Sequence, residues 1–277
     1  SVLIFGSSNR ISNFHIGEKM DLALNGKTAL VTGGSRGLGR QSALSLAAEG
    51  VNVAICGRTR QTLDIAVSEI EKNGVDAIGI EADVSDVKAM QHLHSEVESQ
   101  LGPVDILVNN AGGSRARTDI TETDLTDFKG TFDLNLFGGF ELMKLVIPSM
   151  KKQKWGRIIN IASIWGREYG GNISYMSAKA ALIAATKHAA ISLAKDGILV
   201  NSIAPGSIEH PEGTWERFQN DNPQEMVQSF IDQNLPLGRF GWPEPLGDLV
   251  AFLSSDRAGL ITGSCIVIDG GQSISMI

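Results

Sequence analysis

The sequence predicts an α/β fold, a doubly wound parallel sheet of about seven strands with helices on both faces, formed by a single domain. Three observations predict it. From Lys27 onward, short β-branched apolar runs recur along the chain, and helical patterns separate them. Most of these runs are continuously apolar rather than alternating, as strands are when both faces of a sheet are covered. A chain of 277 residues, 42% apolar and 20% charged, has ample material for one core of this kind.

Strand runs are read at 28–32, 51–56, 76–80, 106–109, 157–161, 199–203 and 265–268. Helical patterns at 38–49, 61–73 and 87–100 lie between the first four. Phe128, Phe132, Leu136 and Phe140 follow at four-residue steps, which predicts one buried helical face. Residues 174–194 are rich in helix formers. The rhythm fails at 206–245, which carry several prolines and glycines and no strand before 246–253 resume a helical pattern. A long excursion late in a domain predicts a functional lid, placed at about 206–240. Its Trp215, Phe218, Met226 and Phe230 suit short amphipathic helices that either close over a substrate or pack on the core. Residues 1–25 are expected to be a leader or tag-like segment, with Met20 a candidate natural start, and the domain is expected to span 26–277.

Composition excludes several classes. A formal charge of −7 does not suit a nucleic-acid groove, which needs clustered Lys and Arg. No apolar run reaches the roughly 18 residues of a membrane span, and the apolar run at 2–5 is too short for a secretory signal. Cys56 and Cys265 have no metal or redox spacing, so reduced thiols and a cytoplasmic location are expected. His15, His92, His94 and His188 show no metal spacing either, and no catalytic metal is expected.

The segment Thr32-Gly33-Gly34-Ser35-Arg36-Gly37-Leu38-Gly39 lies between the first strand and the first helix. Glycines there permit a tight turn and close approach of the backbone to a pyrophosphate, which the helix N-terminus attracts. An enzyme preferring NAD usually places an acid at the end of the second strand to accept from the ribose 2′-hydroxyl. Here that strand ends Cys56-Gly57-Arg58-Thr59, so Arg58 and Arg36 are expected to hold a 2′-phosphate, and NADP(H) is preferred over NAD(H). Tyr175 and Lys179 share one helical face at i, i+4. A free phenol ionises near pH 10; a neighbouring ammonium and an oxidised nicotinamide both favour the phenolate. Ser163, just past the strand at 157–161, is placed to donate to a substrate oxygen.

These motifs, with Asp83-Val84, Asn109-Asn110-Ala111-Gly112, Asn135 and Pro205-Gly206-Ser207-Ile208, occur in an order that resembles the short-chain dehydrogenase/reductase family, over nearly everything from Gly26 onward. The resemblance implies a Rossmann-like fold and a hydride transfer between a nicotinamide and a ketone or alcohol. It implies Tyr175 as general acid in reduction, Ser163 steadying the carbonyl, Lys179 holding the nicotinamide ribose, and Asn135 anchoring a water that feeds protons to Lys179. The cofactor is expected to meet Gly33, Ser35, Arg36, Gly37, Leu38, Gly39, Arg58, Thr59, Asp83, Val84, Asn110, Ala111, Gly112, Tyr175, Lys179, Pro205, Gly206 and Ile208. Asn109 is expected to be structural. The family often has Thr two residues beyond Ile208; His210 stands there, either as a substituted contact or as a plain loop residue, and the loop reading is preferred.

The lid carries Glu209, Glu212, Glu216, Asp221, Glu225 and Asp232 against Arg217, which disfavours a strongly anionic acyl carrier, while Arg115, Arg117 and Arg167 at the same mouth pull the other way. The 3-oxoacyl reductases are nevertheless among the relatives closer in motif pattern, so 3-oxoacyl-thioester reduction is the alternative. A catalytically silent NADP(H) sensor would be free to lose Ser163, Tyr175 or Lys179, and all three are present. Family habit and the apolar end at 273–277 lead to the expectation of a homotetramer acting on a small molecule, with no nucleic-acid or membrane partner.

Overall fold

Parallel strands cannot be joined by tight turns, so each connection must carry the chain back across one face of the sheet. The computed structural model describes residues 20–113 and 120–276. In it β1 (Thr28–Thr32), β2 (Asn52–Gly57), β3 (Ala77–Glu81), β4 (Ile106–Asn109), β5 (Gly156–Ile161), β6 (Ile198–Pro205) and β7 (Cys265–Ile268) form one sheet in the order β3-β2-β1-β4-β5-β6-β7. Every pairing is parallel. The connections carry α1 (Gly37–Ala48), α2 (Arg60–Ile70), α3 (Val87–Leu101), α4 (Leu125–Phe132), α5 (Gly138–Gln153), α6 (Ile173–Leu193), α7 (Thr214–Asp221), α8 (Gln224–Asn234) and α9 (Glu244–Ser254). This is a Rossmann-like α/β domain.

Side chains alternate along a strand, so each strand of this sheet feeds two cores. Ala29, Val31, Val53, Ile55, Val108 and Ile159 point to one face, where Leu46 of α1, Leu63 of α2 and Val250 of α9 cover them. Leu30, Ala54, Leu107, Ile158 and Val200 point to the other, under Leu93 of α3, Val146 of α5 and Leu193 of α6. The continuously apolar strand runs follow directly from this double burial. The runs expected at 28–32, 106–109 and 265–268 agree to the residue, and the remaining four are extended or shifted by one or two positions.

One expected burial fails. Phe140 is 49% exposed, and Phe128, Phe132 and Leu136 are only partly buried. The buried face instead carries Thr131, Asn135, Gly138, Gly139 and Leu142. The helix from Leu125 to Gln153 contains a π-helical turn, Asp133–Phe137, which shifts the phase of everything after it. Two glycines then let α5 approach closely: a Cβ on Gly138 would collide with the Val84 carbonyl, and one on Gly139 would stand 3.1 Å from the Asn109 amide carbon. The four-residue count assumed an unbroken α-helix, and small residues rather than aromatic ones took the inner face.

The excursion between β6 and α9 has no strand, only a parallel bridge that ties Ile208 to Gly241 at its root. Trp215, Phe218, Phe230 and Phe240 share one cluster, with ring centroids 5.1–5.9 Å apart. These side chains pack mostly on one another, so the flap is a small folded unit rather than a loose loop; Met226 stays 52% exposed. Residues 1–19, with His15, the pair Arg115 and Arg117, and Ile277 lie outside the described residues. Among those described, no helix is long and apolar enough to cross a membrane.

Candidate active site

All six turns that leave β1 to β6 emerge at the carboxyl edge of the sheet. The chain reverses its strand order between β1 and β4, and α1 and α5 diverge to opposite faces there, which opens a crevice. Thr32, the last residue of β1, knots its floor. Its hydroxyl oxygen accepts from the Asn110 and Ala111 N–H groups at 2.9 and 3.0 Å and lies 3.4 Å from the Val108 carbonyl oxygen. Asn110 in turn donates to the Thr32 carbonyl at 2.8 Å and the Gly33 carbonyl at 3.3 Å. The turn after β1 and the turn after β4 therefore move as one body.

Gly37 begins α1 with φ +56°, a conformation that strains other residues. Arg36 occupies the N-cap position without a capping side-chain bond, and no acidic residue stands in the first turn. The first N–H groups of this helix are thus left for an anion. Ser35 reaches the end of β2, since a Cβ on Gly57 would stand 3.2 Å from its hydroxyl oxygen. Arg58 and Thr59 are exposed beyond it. Asp83 accepts from the Ser85 N–H and hydroxyl at 2.9 and 2.7 Å, which fixes the turn carrying the buried Val84.

The chemical end is built by α6, the π-helical turn and the ends of β4 and β5. Lys179 is 2% exposed, and its Nζ donates to the Ile161 carbonyl at 2.7 Å. The same Nζ lies 5.5 Å from the centroid of the Tyr175 ring. Tyr175 shares a side-chain hydrogen bond with Ser163. Asn135 donates to the Gly113 and Thr131 carbonyls at 2.6 and 2.7 Å and accepts from the Gly113 N–H at 3.1 Å. Both its amide hydrogens are spent on backbone, so its side chain has no donor left for a water. Gly112 closes the group: a Cβ there would stand 2.8 Å from Asn135 Oδ1 and 3.1 Å from Lys179 Nζ. Asn109, as expected, is structural, donating to Asn160 Oδ1 at 2.9 Å across the β4–β5 pair.

Burial governs the charges. It pushes the Tyr175 phenol up to about 12, more than the Ser163 hydrogen bond lowers it, and it pulls the Lys179 amine down to about 7. Both shifts favour the neutral forms.

Three side chains have contacts that the sequence did not assign. Trp165 stands edge-on to Tyr175, centroids 6.4 Å apart, and packs on Gly170 and Gly171, where side chains would collide with it. Glu212 reaches Arg36 at 3.9 Å. His210, read as a loop residue, lies against Gly37. At the root of the flap, Gly206 donates to the Ile268 carbonyl at 3.2 Å and the Ser207 N–H to Gln272 at 2.7 Å, while the buried Ser207 hydroxyl has no hydrogen-bond partner. The uncapped start of α1 beside the glycine turn fits the diphosphate of a nicotinamide dinucleotide.

Comparisons with known proteins agree with this arrangement. A family model described as enoyl-(acyl carrier protein) reductase matches residues 33–273. The 3-oxoacyl-(acyl-carrier-protein) reductase FabG of Staphylococcus aureus is 39% identical over 248 residues, covering 89% of this chain and 98% of the relative. The crystal structure of L-sorbose reductase from Gluconobacter frateurii, complexed with NADPH and L-sorbose, superposes with a TM-score of 0.87 at 32% identity, covering 93% of this chain and all of that one. A 7α-hydroxysteroid dehydrogenase complexed with NADH and 7-oxo glycochenodeoxycholic acid gives 0.83 at 31% identity, covering 92% and 98%.

The Lys179 amine makes stability depend on pH. Unfolding returns it from about 7 to its ordinary value of 10.5, so above pH 7 the unfolded chain binds more protons and stability rises with pH. Tyr175 and Cys56, raised to about 12 and about 11, act oppositely, but only above their ordinary values of 10.0 and 9.0. Urea unfolding of the cofactor-free protein is expected to show a gain of about 1–2 kcal/mol between about pH 7 and pH 9 that Lys179→Met abolishes. An equal slope in the variant would show that the amine keeps an ordinary pKa.

Proposed function

The chain belongs to the short-chain dehydrogenase/reductase family and is an oxidoreductase acting on C=O and CH–OH groups with a nicotinamide cofactor, and from that premise we propose that it is an NADP(H)-preferring reductase of a free ketone, with Tyr175 as its proton donor. The observation that carries the reading is the joining of the buried Ser163 and Lys179 with the half-buried Tyr175 beside Gly112.

The residues that would hold the cofactor are the turn Gly33 to Gly39, with Ser35, Arg36 and Leu38, at the diphosphate; Arg58 and Thr59 at the adenosine 2′-phosphate; Asp83 and Val84 at the adenine; Asn110, Ala111 and Gly112 along the crevice; Tyr175 and Lys179 at the nicotinamide ribose; and Pro205, Gly206 and Ile208 at the nicotinamide. Bound there in reduced form, the cofactor supplies a hydride. The protein's part is the proton. Ser163 donates a hydrogen bond to the substrate carbonyl oxygen, and Tyr175 gives its phenolic proton to that oxygen as negative charge develops on it. The Lys179 amine, ionising near neutral pH, stabilises the resulting phenolate as an ammonium, and the Ile161 carbonyl keeps it in place. Because the Asn135 side chain is committed to Gly113, proton relay through a water at this position falls to other acceptors, its main-chain carbonyl among them.

NADP(H) preference is supported by the absence of an acid at the end of β2 and by Arg58 and Arg36 around it. Arg36 shares its charge with Glu212, but at 3.9 Å between exposed groups that pair is weak and exchanges readily for a phosphate. The acidic residues of the flap favour a free ketone, whereas the relatives named for 3-oxoacyl-(acyl-carrier-protein) substrates favour the carrier-bound alternative. Assembly into a homotetramer is supported by the exposed apolar row Leu125, Phe137 and Phe140, and by a C-terminal segment that leaves Ile274 and Met276 exposed while Glu168 holds its backbone; sedimentation velocity reads that state directly. Two free thiols, Cys56 and Cys265, support a reducing, cytoplasmic location.

Tyr175→Phe is expected to keep NADPH affinity and to lose turnover of a free ketone by a factor on the order of 10³. Retained turnover would remove Tyr175 as the proton donor, and a strong preference of the wild type for a carrier-bound 3-oxoacyl substrate would replace the free-ketone reading. For the cofactor, Arg58→Asp is expected to move the NADPH/NADH ratio of kcat/KM toward NADH by roughly tenfold or more; an unchanged ratio would contradict the assignment at β2.

A further inference from the structure

We propose that Glu168 is a positioning residue for the reduction: its carboxylate ties the C-terminal segment to the loop between Ser163 and Tyr175 and so holds the Ser163 hydroxyl in place. That loop joins the two hydroxyls of the site but has little of its own to hold it. Ser163 and Ile164 are buried at one end and Ser174 at the other, while every residue from Trp165 to Ile173 is partly or fully exposed. Gly170 and Gly171 add backbone freedom, Gly171 at φ +65°. Local bonds connect Glu168 back to Ser163. The Arg167 and Glu168 N–H groups donate to the Ile164 carbonyl at 2.9 and 3.1 Å, and the Gly166 N–H to the Ser163 carbonyl at 3.0 Å. The Trp165 N–H donates to Ser163 Oγ at 3.2 Å, which occupies one lone pair of that oxygen and leaves its proton for Tyr175 or a substrate. One tight turn thus separates Glu168 from the serine.

The other end of the tie is anchored in the sheet. Just past β7, the Asp269 carboxylate accepts from the Gly271 and Ser273 N–H groups at 2.9 and 2.7 Å. These bonds shape a turn that runs through Gly270 at φ +65° and Gly271 at φ +84°. Gln272 Oε1 accepts from the Ser207 N–H at 2.7 Å. It stands where only a glycine leaves room, since a Cβ on Gly206 would lie 2.7 Å from it. The Ile274 and Ser275 N–H groups then donate to one and the same oxygen of Glu168, Oε2, at 3.0 and 2.8 Å. The segment therefore touches both the Gly206–Ser207 turn and the serine loop. Hydrogen bonds to a carboxylate are stronger than neutral ones, and these two join residues 106 and 107 positions apart. The direction of support follows from what each partner has besides them. The tail is already fixed through Asp269 and Gln272, whereas the loop has no buried side chain between Ile164 and Ser174.

The inference rests on the reading of Ser163 and Tyr175 as the groups that act on the substrate oxygen. NADPH binding counts the folded sites, and turnover of the free ketone that the wild type reduces fastest is expressed per site, so partial unfolding does not register. A misplacement of about 1 Å costs about 10²-fold in rate, and a smaller one is expected here. Glu168→Ala is expected to keep NADPH affinity and to lose kcat per site by roughly tenfold. Glu168→Gln keeps an oxygen that accepts both N–H groups and is expected to stay within about threefold of wild type. A chain ending at Ser273 lacks both donors and is expected to match Glu168→Ala, and the two changes combined to lose no more than either alone. Unchanged turnover per site in Glu168→Ala, an equal loss in Glu168→Gln, or losses that multiply in the combined variant would overturn the proposal. If the shortened chain does not fold, the two Glu168 variants decide by themselves. Ser163→Ala in the same assay separates the two readings. A large loss there beside full turnover in Glu168→Ala removes only the role of Glu168, whereas retained turnover in Ser163→Ala removes the reading of the site itself.

Discussion

Lys179 carries an amine into a place with almost no water, and the rest of the site is arranged around the cost of that burial. With 2% exposure and one carbonyl partner, Ile161, its charged form loses solvation that a single 2.7 Å hydrogen bond does not restore. Its ionisation consequently falls to about 7, the range in which small electrostatic changes decide whether it is an amine or an ammonium. Tyr175 is pushed in the opposite direction by the same burial. The two shifts run in opposite directions, and both disfavour an ammonium–phenolate pair.

Topology explains why so many short motifs, spread from Thr32 to Ile208, converge. Each lies just past the carboxyl end of a strand or at the head of the following helix, and the parallel order of the sheet brings those ends to one edge. Thr32 and Asn110 then tie the two central turns together. The flap is rooted at the same edge through Ile208 and Gly241. Through His210 and Glu212 it touches the glycine turn rather than hanging clear of it.

Much of this was legible in the sequence because it depends on local pattern. Strands buried on both faces read as unbroken apolar runs, glycines marked the turn that begins α1, and the i, i+4 spacing put Tyr175 and Lys179 on one side of a helix. What stayed hidden depends on phase and distance. The π-helical turn at Asp133–Phe137 leaves no mark in a four-residue count, so that count puts the aromatic row from Phe128 to Phe140 on the wrong face. His210 is more than 170 positions from Gly37, and only the fold sets its ring on that glycine. The pair Gly170-Gly171 was a usable signal in retrospect, since adjacent glycines next to a Trp permit the close packing that Trp165 shows against them. Burial is likewise invisible to spacing: the i, i+4 pair puts an amine near a phenol, but only the fold shows that desolvation acts on both.

The protein has two tyrosines, and Tyr169 is 95% exposed, so the Tyr175 phenol can be followed by itself in protein labelled with ¹³C at tyrosine Cζ. Titrated by NMR without cofactor, its resonance is expected to remain that of a neutral phenol past pH 10, and with oxidised NADP bound to ionise about 3 units lower or more, a difference on the order of 4 kcal/mol. Titration at one and the same pH in both states would contradict the account.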